Sequence, residues 1–133
     1  MKLFTLAQYD QLMRNGAAQN NGGGDPVPVV KLHLPGASCI WLLTELDPLS
    51  PLTAFGLCDL GMGSPELGYV SLAEIVSLKL PFGICVEQDE SFVGKYPISV
   101  YARAARDCGY ITEDEALLNR PYYTPRKPGF SPR

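Results

Sequence analysis

The sequence has one histidine and one tryptophan, and its four cysteines never fall into a C-x-x-C spacing. His33 stands among apolar residues, where it reads as a structural or exposed side chain rather than a ligand. Cys39, Cys58, Cys85 and Cys108 therefore lack the paired donors of a zinc site. Three of them lie in apolar strand-like runs and read as small buried hydrophobes in a reducing setting. No serine sits in a G-x-S-x-G turn, which removes the nucleophile elbow. The run Gly22-Gly23-Gly24 lacks the order of a phosphate loop and precedes a strand, not a helix. No apolar stretch reaches the ~20 residues that span a bilayer. With no signal-peptide pattern either, a cytoplasmic protein with no membrane contact is expected.

Positive charge is scarce until the chain's end. Residues 1–119 hold all fourteen acids and seven of the eleven bases, a balance of −7, while residues 120–133 carry Arg120, Arg126, Lys127 and Arg133. This argues against a generally basic nucleic-acid binder. With 133 residues, 46% of them hydrophobic and 19% charged, the chain is long enough to bury a real core. The division expected is an α+β domain over 1–119 and an irregular, Pro- and aromatic-rich basic tail over 120–133.

Between Trp41 and Asp89, apolar runs alternate with turn formers, the pattern of short paired strands. Strands are expected at Val29–Leu34, Cys39–Glu45, Ala54–Asp59, Gly68–Val70 and Ile84–Glu87. Their short connections require antiparallel neighbours, since parallel ones need long crossovers. The strand from Cys39 is apolar on both sides, which marks it as central. Gly56, in mid-strand, suggests a bulge or a close contact over Trp41. Helices are expected from Thr5, ended by Asn15-Gly16, from Ser71 and from Pro97 to a Gly109 cap. Ser71 with Glu74 and Thr112 with Glu115 form capping boxes. The fold class is thus α+β, a curved, mostly antiparallel sheet of about five strands. Its helices cover one face and bury Leu6, Tyr9, Ile75, Tyr101 and Ala105. Trp41, Phe55, Tyr69 and Phe82 are the aromatic core candidates.

One ordered set of motifs runs through this region: W-x-x-T-E-x-D from Trp41 to Asp47, then Phe55-Gly56-Leu57 and Asp59. Glu66-Leu67-Gly68-Tyr69-Val70-Ser71-Leu72 with Glu74 follows, then Gly83 and Glu87-x-Asp89. In these the chain resembles the bacterial family called domain of unknown function 2958, small proteins carried largely on conjugative plasmids and integrative elements. The resemblance covers roughly Leu3 to Phe92; the Gly-rich loop and everything after about Tyr96 look additional. It implies an accessory protein of a mobile element that helps the element coexist with host defences. It carries over no catalytic residue.

Three functional readings follow. Eight acids against one base between Glu45 and Glu90 make an acidic rim at the strand ends, suited to a basic surface on a partner. The favoured reading is a non-enzymatic binding module acting on a host or element protein complex. An anti-CRISPR or anti-restriction type of inhibitor, docking on a nucleic-acid-binding defence complex, is the form it takes. Its contact candidates are Glu45, Asp47, Asp59, Glu66, Glu87 and Asp89, with Arg120, Tyr122, Tyr123, Arg126 and Lys127 of the tail. No cofactor is expected. The second reading is a metal-dependent hydrolase in which Glu45, Asp47 and Asp59 converge. The third is direct nucleic-acid binding by the tail, opposed by the charge of the remaining chain.

Overall fold

Val30, Leu32 and Leu34 alternate with Lys31 and His33, and only the first set is fully buried. A computed structural model of the protein describes residues 3–19 and 24–120. In chain order the elements are α1 (Leu6–Gln19), β1 (Val30–His33), β2 (Ile40–Asp47), β3 (Ser50–Asp59), β4 (Glu66–Ser71) and α2 (Leu72–Ser77). Then come β5 (Lys79–Leu80), a 3-10 turn (Pro81–Gly83), β6 (Ile84–Cys85), β7 (Glu87–Gln88), α3 (Ile98–Cys108) and α4 (Glu115–Leu118). A five-stranded sheet in the order β4-β3-β2-β1-β7 is antiparallel throughout, and β5 and β6 form a separate small hairpin. The protein is α+β. Among the described residues, no helix is long and apolar enough to cross a membrane.

Helices cover both faces of the sheet, not one. Trp41, Leu43 and Leu46 of β2 join Val30, Leu32 and Ala54 under α1 and α2, where Leu12, Leu72 and Ile75 close the first core. Leu42 and Leu57 point the other way and meet Ile98, Tyr101, Ala102 and Ala105 of α3, with Leu118 of α4. A strand apolar on both sides needs cover on both sides. Ile75, Tyr101 and Ala105 are buried as expected, but Leu6 is 73% exposed and Tyr9 38%.

The reason lies in how α1 docks. It does not end at Asn15-Gly16 but runs on to Gln19, and it meets the sheet through Leu12 and Gly16. A β-carbon on Gly16 would lie 1.8 Å from the Leu46 carbonyl oxygen, so this glycine allows backbone-to-backbone approach. Polar groups share that face: the Gln8 amide donates to Gln88 Oε1 at 2.9 Å. Choosing this face leaves Leu6 outside.

Among the aromatic candidates Trp41 is core at 2% exposure and Phe55 is half-buried, whereas Tyr69 is 68% exposed and Phe82 fully so. Phe82 sits at the tip of the β5–β6 hairpin with φ 67°, a turn position and not a strand interior. The expected strand Ile84–Glu87 is interrupted at Val86: Ile84–Cys85 pairs with β5, and Glu87–Gln88 pairs with β1. The Ser71 hydroxyl caps α2 by accepting from the Glu74 N–H at 3.2 Å, and Gly109 closes α3 at φ 88°. The second box differs: Asp114, not Thr112, caps α4 by accepting from the Ala116 N–H at 2.9 Å.

Gly56 does mark a close contact, but over the β2 backbone rather than over Trp41. Its β-carbon would lie 2.1 Å from the Leu42 carbonyl oxygen, beside a register shift between Leu43 and Glu45. Nothing lies within 4 Å of a β-carbon at Gly68 in the neighbouring strand. Gly56→Ala is therefore expected to lower unfolding free energy by about 1–3 kcal/mol through overpacking, while Gly68→Ala stays within about 0.5 kcal/mol. Urea denaturation of both variants tests this; equal losses would show that the Gly56 contact is not tight.

Candidate functional site

The register shift in β2 is a bulge that sets Glu45, rather than Thr44, opposite Phe55. The carbonyl at the bulge needs a partner outside the ladder. Asn15 of α1 supplies it, donating from Nδ2 to the Thr44 oxygen at 2.8 Å. Gln11 orients that amide by donating to Asn15 Oδ1 at 2.8 Å, and Arg14 donates to Gln11 at 2.9 Å. The Asn-Gly pair that suggested a helix end is thus the point where α1 holds the bulge.

Direct cross-strand partners share a face. Glu45 pairs with Phe55, and Phe55 with Tyr69, so the three form one row on the α3 side. The two rings meet edge to face, 5.0 Å between centroids. Beside this row opens a cleft of about 470 Å³, lined further by Thr44, Asp47, Asp25, Ser99 and Leu67. The end of α1 contributes Gly16 and Gln19. Three carboxyl groups line it and, among the described residues, no lysine, arginine or histidine does.

The three carboxyls differ. Asp25 is committed to the start of α3: it accepts from the Ser99 N–H at 3.0 Å and from the Ser99 hydroxyl, while the Pro26 carbonyl takes the Ile98 N–H at 2.9 Å. Pro97 has no side-chain cap to offer there, so the loop caps the helix from outside. Asp47 Oδ1 accepts from the Leu49 N–H at 2.9 Å in the β2–β3 turn. Glu45 is 7% exposed, and burial holds its carboxyl above the ordinary 4.5, with the Thr44 hydroxyl pulling the other way. That hydroxyl lies 3.2 Å from both Glu45 Oε1 and the Phe55 carbonyl. Having one proton, it can donate to only one of them. When it donates to Glu45 it favours the carboxylate, so burial alone holds the pKa up.

The remaining predicted contacts are scattered. Asp59 is 2% exposed and joins β3 to the segment after α3, accepting from the Gly61 N–H at 2.8 Å and the Ile111 N–H at 3.0 Å. It lies four residues along β3 from the partner of Glu45, about 13 Å at strand spacing. Glu45, Asp47 and Asp59 therefore do not converge, as the hydrolase expectation required. Among the described residues no group of three or more His, Cys, Asp or Glu side chains could hold a metal ion.

Glu66 and Glu87 are exposed at the Asp59 end of the sheet, and Asp89 sits on its edge. Ser91, and then Lys31, keep the Asp89 carboxyl below its usual range. Lys31 bridges Asp89 at 3.3 Å and Glu113 at 2.5 Å. Burial opposes its charge, and these two acids outweigh burial, so its pKa is raised. The acidic rim is in this way divided between two ends of the sheet. Arg120 lies 3.9 Å from Asp107; Tyr122, Tyr123, Arg126 and Lys127 lie outside the described residues. Reading Phe55 and Tyr69 as core concealed that they share a cleft with Glu45.

Residues 3–112 match the family described as protein of unknown function (DUF2958). The chain belongs to the DUF2958 family. The match runs beyond Phe92 and through α3, so α3 is not an addition to the family's region. Every residue lining the cleft falls inside it. No curated protein and no solved structure matches the chain.

A carboxyl whose folded pKa is raised keeps its proton longer in the native state, so stability falls as pH rises from 4.5 through the folded value. Glu45→Gln should leave stability nearly unchanged below pH 4.5, where both side chains are neutral, and raise it at neutral pH. Urea midpoints at the two pH values test the sign. A variant less stable than the parent at neutral pH would show that the ionised carboxylate is well accommodated.

Proposed function

We propose that the protein is a non-enzymatic binding module that docks on a basic surface of a partner protein. The observation that carries this reading is the cleft itself: among the described residues three carboxyl groups and no base line it, and Glu45 is held there nine-tenths buried. A concave negative site focuses field lines and draws in a cationic partner. The contact is then specific because the cleft also has an aromatic wall. Asp59 and Asp89 are engaged within the protein, so the docking surface centres on Glu45 and Asp47 rather than on the whole acidic rim.

A mobile-element setting, implied by the motif resemblance, makes a nucleic-acid-binding defence complex of the host the natural target. Such complexes present basic grooves to nucleic acid, and an acidic module competes for them. The test is to co-express the protein with a CRISPR or restriction complex and measure both capture and interference with incoming DNA. Capture that weakens as salt rises from ~0.1 to ~0.5 M, together with restored plasmid entry, is expected. If the protein captures no component and leaves interference intact across such systems, the anti-defence reading is wrong.

A further inference from the structure

We propose that the cleft is a seat for one guanidinium, the head of an arginine side chain presented by the partner. This deepens the binding-module reading and rests on it. Glu45 supplies the anionic end. Its Oε1 takes the Thr44 hydroxyl, and no hydrogen bond to Oε2 occurs among the described residues. Among the described residues no buried side-chain oxygen or nitrogen is left without a partner, so Oε2 keeps accessible surface on a residue that lines the cleft. Its row neighbours supply the wall. Phe55 and Tyr69 meet edge to face, and Tyr69 keeps 68% of its surface open.

An acid beside exposed aromatic surface suits a cation more than a neutral ligand, because ring faces attract positive charge and the buried carboxyl needs neutralising. Among cations, guanidinium fits better than ammonium. It is planar, weakly hydrated, able to stack on a ring and to fork two N–H groups onto a carboxylate. A volume of about 470 Å³ admits the head group with its aliphatic stem. A metal ion would need several converging oxygens; Asp25 is already spent on Ser99 and Asp59 is remote.

Seating the cation requires Glu45 to ionise, so affinity should rise with pH through the carboxyl's range. Among the described residues the other titratable groups facing the cleft are Asp47 on β2, Asp25 before β1 and the Tyr69 phenol on β4; α1 and α3 add none.

The test titrates the full chain by NMR with three probes: N-acetyl-arginine methylamide, its citrulline analogue and the lysine analogue. The arginine probe should bind with a dissociation constant of about 1 mM, reasonable for a fragment of that size. It should shift the amides of residues 44–47, 55 and 69 and move the Glu45 carboxyl titration to lower pH. The neutral citrulline probe should bind at least about tenfold more weakly, since it loses the charge-assisted bonds. Glu45→Gln should lose about tenfold in affinity for the arginine probe. Tyr69→Ala, at an exposed site that leaves folding intact, should lose severalfold.

Equal binding of citrulline, tighter binding of lysine, shifts located elsewhere, or unchanged affinity in both variants would each overturn the seat. Partner capture that survives Glu45→Gln undiminished would sink the guanidinium seat and leave the module reading standing. No partner captured, with the arginine probe still bound at 44–47, would overturn the module reading and keep the seat.

Discussion

Strand β2 is buried along six consecutive residues, Trp41 to Leu46, and both layers of helices take their cores from it. Continuous burial of a strand requires that every backbone group find a partner and every side chain a packed neighbour. The bulge is where this is hardest to meet, because one residue there falls out of the ladder. Three devices meet it: Asn15 takes the Thr44 carbonyl, the Thr44 hydroxyl reaches Phe55, and Gly56 and Gly16 let backbones approach. The same irregularity turns Glu45 out of the sheet's interior into the cleft. Structure and site thus share one cause.

The two buried carboxyls show what the cleft adds. Asp59 is satisfied on both oxygens by backbone N–H groups, from Gly61 and Ile111, and acts as a clamp between β3 and the end of α3. Glu45 is nearly as buried but has a single hydroxyl neighbour and an open side. A satisfied buried acid is a structural element; one left facing a cavity retains unspent electrostatic capacity. The strand ends made these two residues look alike, and their hydrogen bonds separate them.

Much of the architecture was legible because it depends on local rules. The alternation of Val30, Leu32 and Leu34, the central place of β2, the antiparallel order, the Ser71 cap and the Gly109 cap each follow from period, propensity or a backbone angle. The departures arose where a tertiary contact outweighed a local signal. Leu6 and Tyr9 mark an apolar stripe, yet α1 docks through Leu12 and Gly16 because only the glycine admits the Leu46 carbonyl. Phe82 reads as strand core by type, yet it occupies a left-handed turn position. For the site, the T-E pair at Thr44-Glu45 was visible, but nothing local shows that Asp25 and Ser99 lie beside it.

By itself the sequence determined the class of fold and the central place of the Trp41–Leu46 stretch, because hydrophobic period and turn chemistry act over a few residues. It also determined the surplus of acid over residues 1–119. Tertiary structure alone decided that helices cover both faces, that Glu45 parts company with Asp59, and that Asp25, Glu45 and Asp47 line one cleft with Phe55 and Tyr69. Those outcomes depend on strand register, shifted by a single bulge, and on the close approach of α1 to β2. A shift of one residue in register changes the face on which a side chain emerges.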